Sequence, residues 1–285
     1  MARSPRTPKD PEGRMPLKEH LLEFRNRLMK AAAAIVVGAV VGWIIYNPVQ
    51  VGPWTYGGVY EQLTLPFTEY KKANPGSVVT LNFGNATSAF STQLGLSIFT
   101  GVIISSPIWL WQIWAFILPG LTKREKRLSL GVFGTALPLF LAGCFFAYQT
   151  LPKALLILFG LTPDDDKSSN IQQASDYFTF ITRFILAFGL AWLLPVFLVG
   201  LCAIGVLPGR TLKKSWRMAI LLIFIASAII TPTPDPFTMF LLAGPLCVLY
   251  FVALAICLWI DRRRIERGEE PDWSDLSDDQ ASPLT

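Results

Sequence analysis

The chain contains six long apolar stretches, and its charged residues gather in the segments between them. This separation is expected in a membrane, where a charge at the bilayer centre costs about 3 kcal/mol of insertion free energy. Hydrophobic residues make up 52% of the chain and charged residues 16%, a composition that excludes an ordinary soluble domain. The pattern predicts an all-α integral membrane protein with six spans, at residues 31–46, 94–118, 128–148, 184–207, 216–230 and 237–260.

The distribution of Lys and Arg predicts the orientation of these spans. Eight lie in residues 1–30, four in the loop around Lys123, four in the loop around Lys213 and four after the sixth span, against five elsewhere. Because basic loops are retained in the cytoplasm, both termini are expected on the cytoplasmic side of the cell membrane.

Three regions follow from composition. Residues 1–14 are basic and rich in proline, and we expect them to be disordered. Residues 15–260 hold the six-helix membrane domain. Residues 261–285 form a tail, first basic and then acidic, that we expect to be disordered in the cytoplasm.

Motifs of enzymatic chemistry are absent from the sequence. It has no GxxxxGK[ST] phosphate loop and no GxSxG elbow, and His20 is its single histidine. We therefore expect no enzyme, cofactor, metal site or nucleic-acid partner. Four cysteines lie within predicted spans without metal-binding spacing and are interpreted as small buried hydrophobes: Cys144, Cys202, Cys247 and Cys257.

Two other classes of membrane protein compete with a receptor. A small-solute secondary transporter would show repeated halves and charged or broken-helix sites near the midplane, and the sequence shows neither a repeat nor a midplane charge. A purely structural anchor would not need patterned ionisable groups at its cytoplasmic surface.

Residues 15–28 carry the first such pattern and predict an amphipathic helix, which we expect to lie along the membrane surface. One face is apolar and the other polar: Leu17, Leu21, Phe24 and Leu28 against His20, Glu23, Arg27 and Lys30. In the simplest interpretation, Glu23 and Arg27 form only a solvated pair worth about 0.3 kcal/mol.

Residues 106–127 carry the second pattern, between the second and third spans. Pro119 and Gly120 are expected to end the helix, which leaves Glu125 as the only acid in a basic cytoplasmic loop. In the simplest interpretation, Glu125 balances the charge of its basic neighbours.

At these segments the sequence resembles the TatC family, the multispanning receptor subunit of the twin-arginine protein translocase. The resemblance runs from about residue 16 to about residue 259. Its motif residues are His20, Glu23, Arg25, Arg27 and Leu28 in the first segment, Gln112, Trp114, Phe116, Pro119, Gly120 and Glu125 in the second, and Pro232 and Asp235 in a short turn between the fifth and sixth spans.

The resemblance implies a glove-shaped six-helix fold whose cytoplasmic surface binds the paired arginines of signal peptides on folded export cargo. Glu23 and Glu125 are the carboxylates that we nominate for the two guanidinium groups. The resemblance also implies the small partners TatA and TatB, further copies of the chain, and transport driven by the protonmotive force.

Two positions depart from the family pattern. Leu193 and Phe251 stand where many relatives carry acidic or amide side chains. We therefore expect partner helices to dock there by apolar packing.

Between the first two spans, residues 60–72 are expected to form a helix outside the cytoplasm, and the resemblance suggests that this loop is a cap.

Overall fold

Ten helices and four short strands make up the part of the chain that the structure, a computed structural model, describes: residues 17–51, 54–73, 79–117, 123–160, 170–231 and 236–266. Helices dominate because apolar segments in a bilayer must satisfy their backbone hydrogen bonds internally. The helices are α1 (Leu17–Ile44), α2 (Gly58–Ala73), α3 (Ala86–Ile104), α4 (Ser106–Ile117), α5 (Lys123–Gly160), α6 (Ala174–Ala191), α7 (Leu194–Ala203), α8 (Gly209–Lys214), α9 (Trp216–Ile230) and α10 (Pro236–Glu266), and the strands are β1 (Val49–Val51), β2 (Trp54–Tyr56), β3 (Val79–Asn82) and β4 (Asn170–Gln173).

Six spans are built from these helices, as the sequence predicted. Five are long and apolar enough to cross a membrane: α1, α3, α5, α6 with α7, and α10; α4 continues the second span directly after α3. The fifth span, α9, is shorter, and its bounds are those predicted from the sequence. Each of the other spans begins before its predicted apolar run, because a helix can extend into the headgroup region beyond its apolar residues.

Two of the spans are broken near a proline. The second is interrupted at Ser105, two residues before Pro107, and the fourth at Trp192 and Leu193, before Pro195. Proline has no N–H to donate and disfavours helical geometry in the residue before it. By contrast, α10 continues as one helix through Pro245.

The structure corrects one expectation about the N-terminal segment. The amphipathic segment does not form a separate helix on the membrane surface, because α1 runs from Leu17 to Ile44 as one helix. The junction around residues 28–35 contains strong helix formers and neither glycine nor proline, so nothing in the sequence ends the helix there.

The first span crosses α3 at a point where both helices carry glycine. A Cβ atom added to Gly38 would lie 2.7 Å from the carbonyl oxygen of Gly101, and one added to Gly101 would lie 2.5 Å from the backbone nitrogen of Ala39. Neither distance leaves room for a methyl group. The small residues therefore allow the two backbones to touch, as is common between membrane helices.

One end of the bundle, called here the strand end, carries β1–β4 and α2. β1 pairs with β2 in an antiparallel hairpin, and β3 pairs with β4 in parallel. The predicted helix over residues 60–72 is confirmed as α2. Two tyrosine hydroxyls fix α2 to the bundle, since Tyr148 donates to the carbonyl of Gln62 (2.9 Å) and Tyr177 to that of Leu63 (3.1 Å).

At the opposite end of the bundle, α10 is tied to the segment that joins α7 and α9. The Asp261 carboxylate accepts a hydrogen bond from the Gly209 N–H (2.7 Å), and the Arg264 guanidinium donates to the Ala203 carbonyl (2.7 Å). Consequently α10 continues to Glu266, six residues beyond the predicted end of the membrane domain.

The four cysteines are free thiols. Cys144, Cys202 and Cys257 are buried and Cys247 is half-buried. Each lies in a spanning helix, as predicted for small apolar side chains.

Candidate functional site

The two sequence motifs meet at the end of the bundle opposite the strands. The His20 ring stacks on the Phe116 ring with centroids 4.5 Å apart, and Phe24 lies at 5.2 Å from the same ring. His20 and Phe24 are one helical turn apart on α1, and Phe116 is in the last turn of α4. We call this end of the bundle, defined by these three rings, the motif end.

This contact changes the predicted faces of the N-terminal helix. His20, assigned from periodicity to the polar face, packs with Phe24 against α4. Leu21 and Leu28, assigned to the apolar face, are 59% and 54% exposed. Two large apolar side chains at the motif end are therefore open to lipid or to a ligand.

Glu23 and Arg27 form an ion pair one helical turn apart. The Arg27 Nε–H donates to Glu23 Oε1 at 3.0 Å, and Arg27 Nη2 donates to the same oxygen. About a quarter of each side chain is exposed, 25% for Glu23 and 24% for Arg27. The pair predicted from the i, i+4 spacing is present, but it occupies only one oxygen of the carboxylate.

The second oxygen of Glu23 is the most informative atom of this site. Oε2 is buried and has no hydrogen-bond partner in the part of the chain that the structure describes. Leaving a buried acceptor unsatisfied costs roughly 1–3 kcal/mol, and more when the group is charged. Such an atom can accept a strong, charge-assisted hydrogen bond from a cationic donor.

An open depression of about 400 Å³ lies beside this carboxylate. Among the described residues its lining comes from α1 alone: Glu19, Leu22, Glu23, Asn26, Arg27 and Lys30. Glu19, Leu22 and Asn26 were not singled out from the sequence. Glu19, Glu23, Asn26 and Lys30 follow one another at i, i+4, i+7 and i+11, and this helical spacing could have identified them.

The other motif residues differ in how they are placed. Trp114 is 6% exposed and packs inside the protein, and Gln112 is half-buried. Arg25 is exposed on α1. Trp114 therefore supports the fold of the motif end, whereas Arg25 is available to a ligand or to lipid headgroups.

Several predicted residues lie partly or wholly outside the described part of the chain. Glu125 is the third residue of α5, and the description there extends to its backbone only. Pro119, Gly120, Pro232 and Asp235 fall outside the described residues.

Leu193 and Phe251 are placed very differently. Leu193 is 4% exposed and lies in the core, so it is not available to a partner helix docking on this surface. Phe251 is 44% exposed and packs beside Trp216 at a centroid distance of 6.4 Å. Apolar docking, as expected from the sequence, is therefore possible at Phe251 only.

Comparison with known proteins gives one consistent family. The family model described as "Sec-independent protein translocase protein (TatC)" matches residues 19–245. A protein named Sec-independent protein translocase protein TatC from Xylanimonas cellulosilytica is 43% identical over 254 residues, covering 89% of this chain and 87% of its own length. One of the same name from Carboxydothermus hydrogenoformans is 34% identical, covering 86% and 94%. A crystal structure of a twin-arginine translocase receptor, TatC, superposes with a TM-score of 0.68 at 28% identity, covering 85% of this chain and all of the other.

Proposed function

The chain belongs to the TatC family of Sec-independent protein translocase proteins, and from that membership we propose that its motif end binds the paired arginines of twin-arginine signal peptides. The chain is a multi-pass membrane protein and the receptor subunit of a twin-arginine translocase, not an enzyme. The proposal concerns how it recognises its ligand and which residues do so.

The observation that carries the proposal is the buried Oε2 atom of Glu23. Because Oε1 already accepts from Arg27, Oε2 is the free acceptor of the carboxylate among the described residues. A guanidinium from a signal peptide can donate to it in the depression beside α1. A charge-assisted hydrogen bond of this kind contributes about 1.5–3 kcal/mol net.

The same geometry favours arginine over lysine. Guanidinium is a planar fork that can approach a carboxylate already shared with Arg27, whereas the lysine ammonium is a compact, strongly hydrated charge. The exposed side chains of Leu21 and Leu28 lie on the same helix and supply apolar surface for the hydrophobic part of the peptide. Together with the two carboxylates and Leu28, we assign His20, Arg25 and Arg27 to peptide binding.

Glu125 is proposed as the second carboxylate. It lies in the first turn of α5 at the motif end, a few residues after α4 ends next to α1. A carboxylate is favoured at a helix N-terminus, where backbone N–H groups point outward. The paired arginines would then bind one carboxylate each, Glu23 on α1 and Glu125 on α5.

The surroundings of the receptor are also proposed. The basic segments predict that the motif end faces the cytoplasm and that both termini lie there, in the cell membrane. TatA, TatB and further copies of the chain are the expected partners, and the protonmotive force is the expected energy source.

Residues 1–14 and the tail after the membrane domain are expected to be disordered. The turn with Pro232 and Asp235 is expected to serve in export on the opposite side of the membrane.

Crosslinking of signal peptides to neutral variants tests the proposal. In membrane vesicles, a photoreactive twin-arginine peptide should label Glu23→Gln and Glu125→Gln about 5- to 150-fold less than the parent, the effect of losing about 1–3 kcal/mol. The double variant should approach background. Glu69→Gln, an exposed glutamate of α2 at the strand end, is the matched control and should bind like the parent.

A twin-lysine peptide gives the second arm of this experiment. It should label the parent weakly, and the glutamine variants should reduce that label little further. If both variants bind the twin-arginine peptide like the parent, these glutamates are surface charges and the assignment of the site is wrong.

A further inference from the structure

One basic side chain, Arg183, lies on α6 directly before the apolar run predicted at residues 184–207, away from the proposed peptide site. Arg183 is exposed on α6, nine residues after the helix begins at Ala174, or about 13 Å along its axis. It forms no ion pair or hydrogen bond with any residue that the structure describes. A basic side chain at the end of an apolar run can extend to the lipid headgroups, so Arg183 is placed to meet a phosphate group there.

A small polar notch is lined in part by Thr182, the residue before Arg183. A cavity of about 120 Å³ separates the strand-end halves of α3 and α6. Its polar lining consists of hydroxyl groups, with Gly95 leaving space on the α3 side: Ser91, Thr92, Ser175, Thr179 and Thr182. Hydroxyls are not needed in a wall that faces only acyl chains, so this notch suits a polar ligand.

The hydroxyl groups of the notch are presented mainly as acceptors. Ser91 and Thr92 donate to the carbonyl of Ser88 at 3.0 and 2.8 Å, and Thr182 donates to that of Phe178 at 2.8 Å. A hydroxyl that donates to its own helix keeps lone pairs for another donor. The preferred ligand therefore carries N–H or O–H groups.

An acidic side chain stands nearer the membrane surface than Arg183. Asp176 is exposed in the first turn of α6, seven residues before Arg183 and so on the same face of the helix. Like Arg183, it has no partner among the described residues. Side chains on a helix tilt toward its N-terminus, which brings the Arg183 guanidinium toward Asp176 and the notch.

From the membrane surface inward, the protein thus presents the Asp176 carboxylate first, then the hydroxyl oxygens of the notch, and then the Arg183 guanidinium. An ethanolamine phospholipid in the same leaflet presents its ammonium outermost and its phosphate next to the acyl chains. We propose that the α3–α6 notch binds the headgroup of an ethanolamine phospholipid, with its phosphate on Arg183 and its ammonium on Asp176 and the hydroxyl oxygens. Choline has no N–H to donate, and glycerol offers no cation to Asp176, so neither headgroup matches both ends.

Lipid titration of the purified full-length chain tests this site. Phospholipids with identical acyl chains and ethanolamine, choline or glycerol headgroups would be added to the protein in detergent, and bound lipid counted by native mass spectrometry. The ethanolamine lipid should bind about tenfold more tightly than either of the others, a margin typical of charge-assisted hydrogen bonds.

Variants of Asp176 and Arg183 test the ammonium contact and the phosphate contact separately. Asp176→Asn should bring ethanolamine and choline lipids to similar affinity, and Arg183→Gln should weaken all three lipids about tenfold. Lys72→Gln, an exposed strand-end lysine on α2, is the control and should change nothing. Should Arg183→Gln fail to fold, Arg183→Lys retains the charge, and the Asp176→Asn result decides alone.

Three outcomes would overturn the proposal. Equal binding of ethanolamine and choline lipids by the parent removes the role of the ammonium. Tighter binding of the glycerol lipid identifies an anionic-lipid site. Unchanged lipid binding by Arg183→Gln, together with loss of a co-purifying membrane protein, assigns Arg183 to a helix–helix contact.

Signal-peptide crosslinking at Glu23 should be unaffected by these variants. Failure of the lipid-site proposal is therefore distinguishable from failure of the proposed receptor site.

Discussion

The two oxygens of the Glu23 carboxylate differ in their surroundings, and this difference supports the binding role proposed for Glu23. Oε1 is held by Arg27, which fixes the side chain, while Oε2 is buried without a partner among the described residues. An i, i+4 pair on an exposed helix contributes only about 0.3–0.5 kcal/mol to stability. The position of Glu23 is therefore better explained by a ligand than by helix stability.

Glu23→Asp tests whether position matters beyond charge. The shorter side chain keeps the negative charge but withdraws its oxygens from Arg27 and from the buried position of Oε2. We expect twin-arginine peptide crosslinking to fall about 5- to 10-fold, equivalent to roughly 1–1.4 kcal/mol. Glu69→Asp serves as the control. Parent-like crosslinking of Glu23→Asp would mean that a diffuse negative charge, and not a fixed acceptor, attracts the peptide.

At the scale of helices and strands, the sequence predicted the six spans but not where most of them begin or where two of them break. The bounds of α9 were predicted because apolar residues end abruptly at both of its termini. The junction of the amphipathic segment with the first span was missed because hydropathy changes there while helix propensity does not. The pairing of β3 with β4 joins segments far apart in sequence, and no local pattern indicates it.

The crossing of α1 and α3 gives a prediction about stability. Gly101→Ala places a methyl group 2.5 Å from the Ala39 nitrogen, so the helices must separate. We expect a loss of about 1–3 kcal/mol in unfolding free energy, as for other overpacked sites. Thermal unfolding in detergent measures it.

Gly134→Ala on α5 is the matched control for this crossing. A Cβ atom at Gly134 meets nothing within 4 Å, so the variant should be neutral or up to about 1 kcal/mol more stable through helix propensity. Equal shifts for the two variants would show that close packing at Gly101 does not limit stability.

At the scale of the whole molecule, sequence and structure contribute different parts of the candidate site. Resemblance of motifs is the basis on which Glu23 and Glu125 are nominated, and the i, i+4 spacing predicted the Glu23–Arg27 pair. The sequence could not predict that Phe116 joins the motifs, because contacts between distant segments depend on how the spans pack. It also could not predict that Leu193 is buried, since an apolar residue in a span is equally suited to lipid, partner or core.

Orientation in the membrane is the prediction that belongs to this scale. Reporters fused at the N-terminus, near Lys123, near Lys213 and after Arg264 should map to the cytoplasm, because the basic segments are retained there. Reporters near Lys71 and Lys167 should map to the other side. Finding the Lys123 and Lys71 segments on one side would be incompatible with six spans.

Because α1 is one continuous helix, a tilt at its crossing with α3 moves its motif end as a rigid body. One of its close contacts with α3 is at Gly38; from there Glu23 lies about 22 Å along the helix in one direction, and the helix ends about 9 Å away in the other. A tilt of only about 5° about Gly38 would displace the Glu23 backbone by about 2 Å. A carboxylate displaced that far would lose its hydrogen bonds. The ring contacts of Phe116 with His20 and Phe24 lie far from the crossing with α3. Even weak contacts at that distance therefore oppose a tilt of α1 effectively.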